Sequence, residues 1–143
     1  MEKSDNVMTE INPFDLLNGA ALAYVGDAVY EQFVRKHVIQ SGQTSPNKLH
    51  RAAIKYVSAE GQAKVMKSWI DSEERLSTKE IEIYKRGRNN KANTRAKNAS
   101  IGDYRQATGF EALIGWLSLT NQVERCTELM TLAIKYIENE ENK

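Results

Sequence analysis

Cysteine is almost absent from these 143 residues: Cys126 stands alone. That excludes an internal disulfide, and one cysteine with two histidines leaves a structural zinc site short of donors. Cys126 shares an apolar helix face with Leu129, Met130 and Ala133, so it reads as a small buried hydrophobe. Proline occurs twice, at Pro13 and Pro46, both near expected helix starts. Long apolar runs are missing too. No stretch approaches the ~20 residues of a membrane span. The opening "MEKSDNVMTEIN" has no apolar core of a secretory signal. A chain in the reducing cytoplasm, without membrane contact, is the expectation. Alternating β-branched residues are scarce, which argues against sheet.

Apolar residues three and four apart recur along almost the whole chain, so the predicted fold class is all-α. The length suits one domain, which buries roughly two-thirds of its unfolded surface without staples. Residues 1–12 are expected to be flexible, 13–138 to form the helical domain, and 139–143 to fray. A first helix is predicted over residues 14–39, apolar on nearly all sides and therefore central. Ser45 and Pro46 signal the next start. The helix that follows is expected to bury Leu49, Ala52, Ala53, Tyr56 and Val57, then Ala63, Met66 and Ile70, with a kink at Gly61. Ser77 and Glu80 form a capping box for a third helix ending near Gly87. Two more helices are expected, one over residues 104–119 and one carrying Val123, Cys126, Met130, Ala133, Ile134 and Ile137.

Net charge is only +1, but its distribution is uneven. Lys85, Arg86, Arg88, Lys91, Arg95 and Lys97 fall between residues 83 and 102, where no acid occurs; the rest of the chain carries −5. The stretch "RNNKANTRAKNAS" has four asparagines and no large apolar residue. It reads as an exposed basic loop within residues 85–102. Such loops in compact domains are usually functional or disordered.

Two acids interrupt the most apolar helices. Asp27 lies in "LAYVGDAVYE" and Glu111 in "GFEALIGWL". A carboxylate buried without a partner costs several kcal/mol, so each needs a metal, a basic side chain or an opening to solvent. Small neighbours (Ala23, Gly26 and Ala28; Ala112 and Gly115) let the two helices approach and bring the carboxylates together. Such a pair shares a proton or binds a cation. All-oxygen donors suit a hard ion, and Mg²⁺ commonly takes one or two carboxylates plus waters. Glu31, one turn after Asp27, is a further acid on that face, or simply solvated. His37 and His50 read as a helix-surface and a helix-start residue.

"ALAYVGDAVYE" together with "FEALIGWL" resembles the paired acidic signatures of the ribonuclease III endonuclease domain. "YVSAEGQAKVM" is similar to the helix between them. "SPNKLH", "KRGRN" and "YRQATGFEALIGWL" resemble the Mini-ribonuclease III subgroup, which lacks the double-stranded-RNA-binding domain. The likeness extends from about Leu17 to Ile137. It implies the family's helical, homodimeric fold, paired across the first-motif helix. It also implies a Mg²⁺-dependent endoribonuclease, with Mn²⁺ a substitute, that cuts double-stranded RNA to 5′-phosphate and 3′-hydroxyl ends. Asp27 and Glu111 match the essential acids, as catalytic and metal-holding residues. The further acids of full-length members are replaced by Ala20, Ala23 and Thr108, a departure the subgroup shares. The subgroup trims precursors of large-subunit (23S) ribosomal RNA, which makes that precursor the expected substrate and leaves open whether a helper ribosomal protein takes part. The six basic residues then become candidate RNA contacts. Two other readings remain: a non-catalytic RNA-binding ribosome-assembly protein on this fold, and a helical dimerisation module.

Overall fold

The computed structural model describes residues 12–90 and 100–142. Among them are six α-helices and a short 3₁₀ turn, with no strand. The expected first helix divides in two. Asn12 accepts a hydrogen bond from the Phe14 amide at 2.9 Å and starts the 3₁₀ turn Pro13–Leu16. Leu17 is extended, and Asn18 caps α1 (Gly19–Ile39) by accepting from the Ala21 amide at 2.8 Å. Two asparagine caps within seven residues thus override the apolar run through Phe14, Leu16 and Leu17.

The expected second helix is also two: α2 (Pro46–Val57) and α3 (Ala59–Asp71). The break lies at Ser58, not Gly61. Ser58 is extended, and its hydroxyl accepts from the Gly61 amide at 3.1 Å. Gly61 serves instead as a close-approach position, since a Cβ there would collide with the Lys55 carbonyl. The break rotates α3 so that Val65, Met66 and Trp69 are buried while Ile70 is 41% exposed. Ala52 of α2 is exposed as well.

The capping box at Ser77 and Glu80 is present and opens α4 (Thr78–Arg88). Glu80 does a second job. Its buried carboxylate meets Arg125 through two bonds of 2.9 Å, and Arg125 also donates to the Arg75 carbonyl at 2.6 Å. The basic segment is not one loop. Lys85, Arg86 and Arg88 sit on the last turn of α4, where cations suit the helix dipole. Ser100 caps α5 (Ile101–Leu119), so that helix starts three residues earlier than the apolar pattern suggests. Lys91, Arg95 and Lys97 lie outside the described residues. The last helix, α6 (Val123–Glu141), continues past residue 138. Lys55 Nζ on Glu141 at 2.6 Å and His37 Nε2 on Glu138 at 2.8 Å tie its end to α2 and α1.

The central helix is α5, which packs against α1, α3, α4 and α6. Residues 107–117 are buried except Glu111, which is half-buried. Phe110 anchors this centre, edge-on to Tyr30 at 4.8 Å and tilted against Trp69 at 5.7 Å. Helix α1 is more peripheral than its apolarity suggests. Leu22, Tyr30 and Val34 face inward, but Ala20, Tyr24, Asp27 and Ala28 face solvent, Tyr24 at 83% exposure. Cys126 is buried at 3.8 Å from the Ile114 carbonyl, and burial raises its thiol to about 11. No helix among the described residues is long and apolar enough to cross a membrane.

Candidate active site

The site is built on a glycine crossing. Gly26 of α1 lies against α5 where a Cβ would overlap the backbone carbonyl of Glu111. Gly115 of α5 lies where a Cβ would overlap the carbonyl of Leu22. Neither obstacle is a side chain that can turn aside. Two helices therefore meet backbone to backbone, one residue before Asp27 and at Glu111 itself. A second crossing, Gly87 of α4 against Gly109 and Ala112 of α5, fixes the other flank of α5.

This geometry brings the Asp27 and Glu111 carboxyl groups within hydrogen-bonding range. The puzzle of a charge in an apolar helix has different answers for the two. Asp27 opens to solvent, so it is not the buried acid its neighbours in sequence suggest. Glu111 is the enclosed one. Burial first, then the charge of Asp27, push its carboxyl up to about 8. Glu31 adds a smaller push in the same direction, and a hydrogen bond from Gln62 opposes it. Gln62 is 2% exposed and donates from Nε2 to Glu111 Oε2 at 3.3 Å. Glu31 itself pairs with Arg35 at 2.9 Å.

No lysine or arginine pairs with Asp27 or Glu111 among the described residues. Nor does a third His, Cys, Asp or Glu complete a metal-binding cluster there. His37 is held by Glu138, and His50 is exposed on the first turns of α2. What remains is two facing carboxyl groups, one exposed and one half-buried, with no basic partner. A hard divalent cation with most of its shell filled by water or phosphate oxygen fits this donor set.

Residues 20–122 match the family model of the ribonuclease III domain. The chain belongs to the ribonuclease III family. It is 48% identical over 131 residues to Mini-ribonuclease 3 of Streptococcus pneumoniae, covering 92% of this chain and 99% of that one. It is 53% identical over 121 residues to Mini-ribonuclease 3 of Enterococcus faecalis, covering 85% and 91% respectively. The crystal structure of a protein from Fusobacterium nucleatum superposes with a TM-score of 0.74 at 30% identity, over 84% of this chain and 93% of that one. Ribonuclease III enzymes act on double-stranded RNA and generally depend on a divalent metal.

Within this ribonuclease III domain the basic residues differ in their contacts. Lys85 is exposed at the end of α4. Arg88 lies 5.5 Å from the Tyr84 ring centroid and bonds the Asn89 side chain at 3.1 Å. Arg86, expected as an RNA contact, is engaged within the chain. Its Nη1 donates to the carbonyls of Asp15 and Leu17 at 2.5 and 2.9 Å, and its Nη2 meets Glu82 at 3.2 Å. It clasps the turn before α1, and a guanidinium with three protein acceptors has little left for phosphate.

Gln62 is the site residue that motif reading misses. Its signal was available, because residues 62, 65, 66 and 69 share one helical face and only the first is polar.

Proposed function

We propose that this endoribonuclease cuts duplex RNA at the Asp27–Glu111 pair, with a divalent cation, Mg²⁺ in the cell and Mn²⁺ as a substitute, held between the two carboxylates. The carrying observation is their approach at the glycine crossing without a basic partner. Exposed Asp27 and half-buried Glu111 would hold the cation, and Glu111 would have to give up any proton it holds, because only the carboxylate is a ligand. When bound, the cation supplies an acidified water and positive charge for the scissile phosphate. Without it, nothing at the pair offsets the charge of the RNA backbone. The products carry 5′-phosphate and 3′-hydroxyl ends.

One acidic pair serves one strand, and a duplex has two. The outward face of α1, with Tyr24 at 83% exposure beside Ala20 and Ala28, suits a second copy, and Leu16 of the preceding 3₁₀ turn is 73% exposed. A two-fold homodimer through this face presents two pairs related like the strands of a duplex. Lys85 and Arg88, joined by Lys91, Arg95 and Lys97, neutralise phosphates along the substrate. The natural substrate is the precursor of large-subunit ribosomal RNA. The single unpaired cysteine suits work in the reducing cytoplasm.

Purified protein is incubated with long duplex RNA, with and without Mg²⁺, beside Asp27→Asn and Glu111→Gln. Metal-dependent cleavage lost in both variants supports the reading. RNA bound but never cut identifies a non-catalytic RNA-binding protein instead.

A further inference from the structure

Gln62 is an expensive residue where it stands. It is 2% exposed, and an amide buried without hydrogen bonds costs about 1–3 kcal/mol by protein mutational measures. Its Nε2 has two protons and uses both. One goes to the Val57 carbonyl at 3.2 Å and the other to Glu111 Oε2 at 3.3 Å. The first partner explains the position. Val57 ends α2, and the amide that would have closed its helical turn, that of Gly61, is taken by the Ser58 hydroxyl. The helix break thus leaves a carbonyl in need of a donor, and Gln62 supplies it from the first turn of α3. With one proton fixed on a backbone atom, the amide plane is set and the other proton is aimed at Glu111. The remaining atom, Oε1, is buried with no partner. Flipping the amide would turn that oxygen toward a carbonyl and a carboxylate, so the orientation is determined.

We infer that Gln62 is a positioning residue for metal binding: anchored on the α2–α3 break, it holds the Glu111 carboxylate in the rotamer that shares a cation with Asp27. This rests on the Asp27–Glu111 metal site proposed above. In this role Gln62 acts on the cation only through Glu111. Partners of this kind typically contribute 10–100-fold to metal affinity or activity.

Mn²⁺ binding is measured by electron paramagnetic resonance on the full chain, for the unmutated protein, Gln62→Met, Gln62→Leu and Glu111→Gln. Both Gln62 variants keep the length or volume of the side chain without its donor. In a variant that stays folded by circular dichroism, Mn²⁺ affinity falls ~10–100-fold. The Mg²⁺ midpoint for RNA cleavage shifts by the same factor, while the rate at saturating Mg²⁺ and the half-saturating RNA concentration stay within a few-fold of the unmutated values. Unchanged Mn²⁺ affinity in a folded variant overturns the inference. If neither variant folds, the side-chain amide resonance of Gln62 in the unmutated protein decides. Mg²⁺ shifts it if the inference holds, and a resonance that ignores Mg²⁺ overturns it. Mn²⁺ binding that survives Glu111→Gln instead removes the metal site itself, and the role of Gln62 goes with it.

Discussion

Replacing Gly26 by alanine tests the architecture beneath the site. The added Cβ would overlap the Glu111 carbonyl oxygen, with the Glu111 carbonyl carbon and the Gly115 amide nitrogen close behind. All three are backbone atoms, so relief requires α1 and α5 to part by more than an ångström. Overpacking of ordinary side chains costs about 1–3 kcal/mol, and a backbone obstacle belongs at or above the top of that range. Alanine returns about 1 kcal/mol of helix propensity. The net loss is about 2–3 kcal/mol, which for a chain of this size lowers Tm by roughly 6–12 °C. Activity should fall further than stability, because the atom displaced belongs to the residue that carries the carboxylate. An ångström of misplacement can cost ~10²-fold in rate. The control is Gly102→Ala, where a Cβ meets only the Ser100 hydroxyl at 3.9 Å. Calorimetry and duplex cleavage at saturating Mg²⁺ read both variants. A Gly26→Ala protein as stable and active as Gly102→Ala would refute the crossing as the device that joins the two acids.

Other outcomes follow from the same geometry. The Glu111 carboxyl is raised from an ordinary 4.5 to about 8 in the fold, so the folded state holds a proton that the unfolded state has released. Metal-free stability therefore falls as pH rises from about 4.5 to about 8, and Glu111→Gln flattens that slope in a Tm-against-pH series. Millimolar Mg²⁺ reverses the trend, because binding requires the carboxylate. Lys85→Ala should weaken RNA binding and reduce its salt dependence with Tm unchanged, whereas Arg86→Ala, which frees the carbonyls of Asp15 and Leu17, should lower Tm by several degrees. Filter binding and thermal melts separate the two. Tyr24→Asp should break the proposed dimer in sedimentation equilibrium, since it puts a charge where Tyr24 is 83% exposed in the single chain.

Much of this was legible in the residues. The helical class follows from spacing, and the capping box at Ser77 marks α4 to the residue. Small residues around Asp27 and Glu111 announce a close crossing. What periodicity does not carry is which side of an apolar helix faces out. Ala20, Tyr24 and Ala28 are compatible with a core or with a partner, so Asp27 reads as buried when it is open. The break at Ser58 is masked because Ala59, Glu60 and Ala63 are all helix formers. Only the competition between a serine cap and the helical turn ends α2 there. Arg86 looks like its basic neighbours, and its separate role depends on a turn seventy residues away. Sequence spacing has no means of expressing such contacts.

The central claim is that one divalent cation bridges an exposed aspartate and an enclosed glutamate across the α1–α5 crossing. Anomalous diffraction from a Mn²⁺-soaked crystal measures this directly. The account predicts a peak about 2.1 Å from a carboxylate oxygen of both Asp27 and Glu111. A peak touching one of them alone, or Mn²⁺ seated elsewhere while both carboxylates stay metal-free, would contradict it.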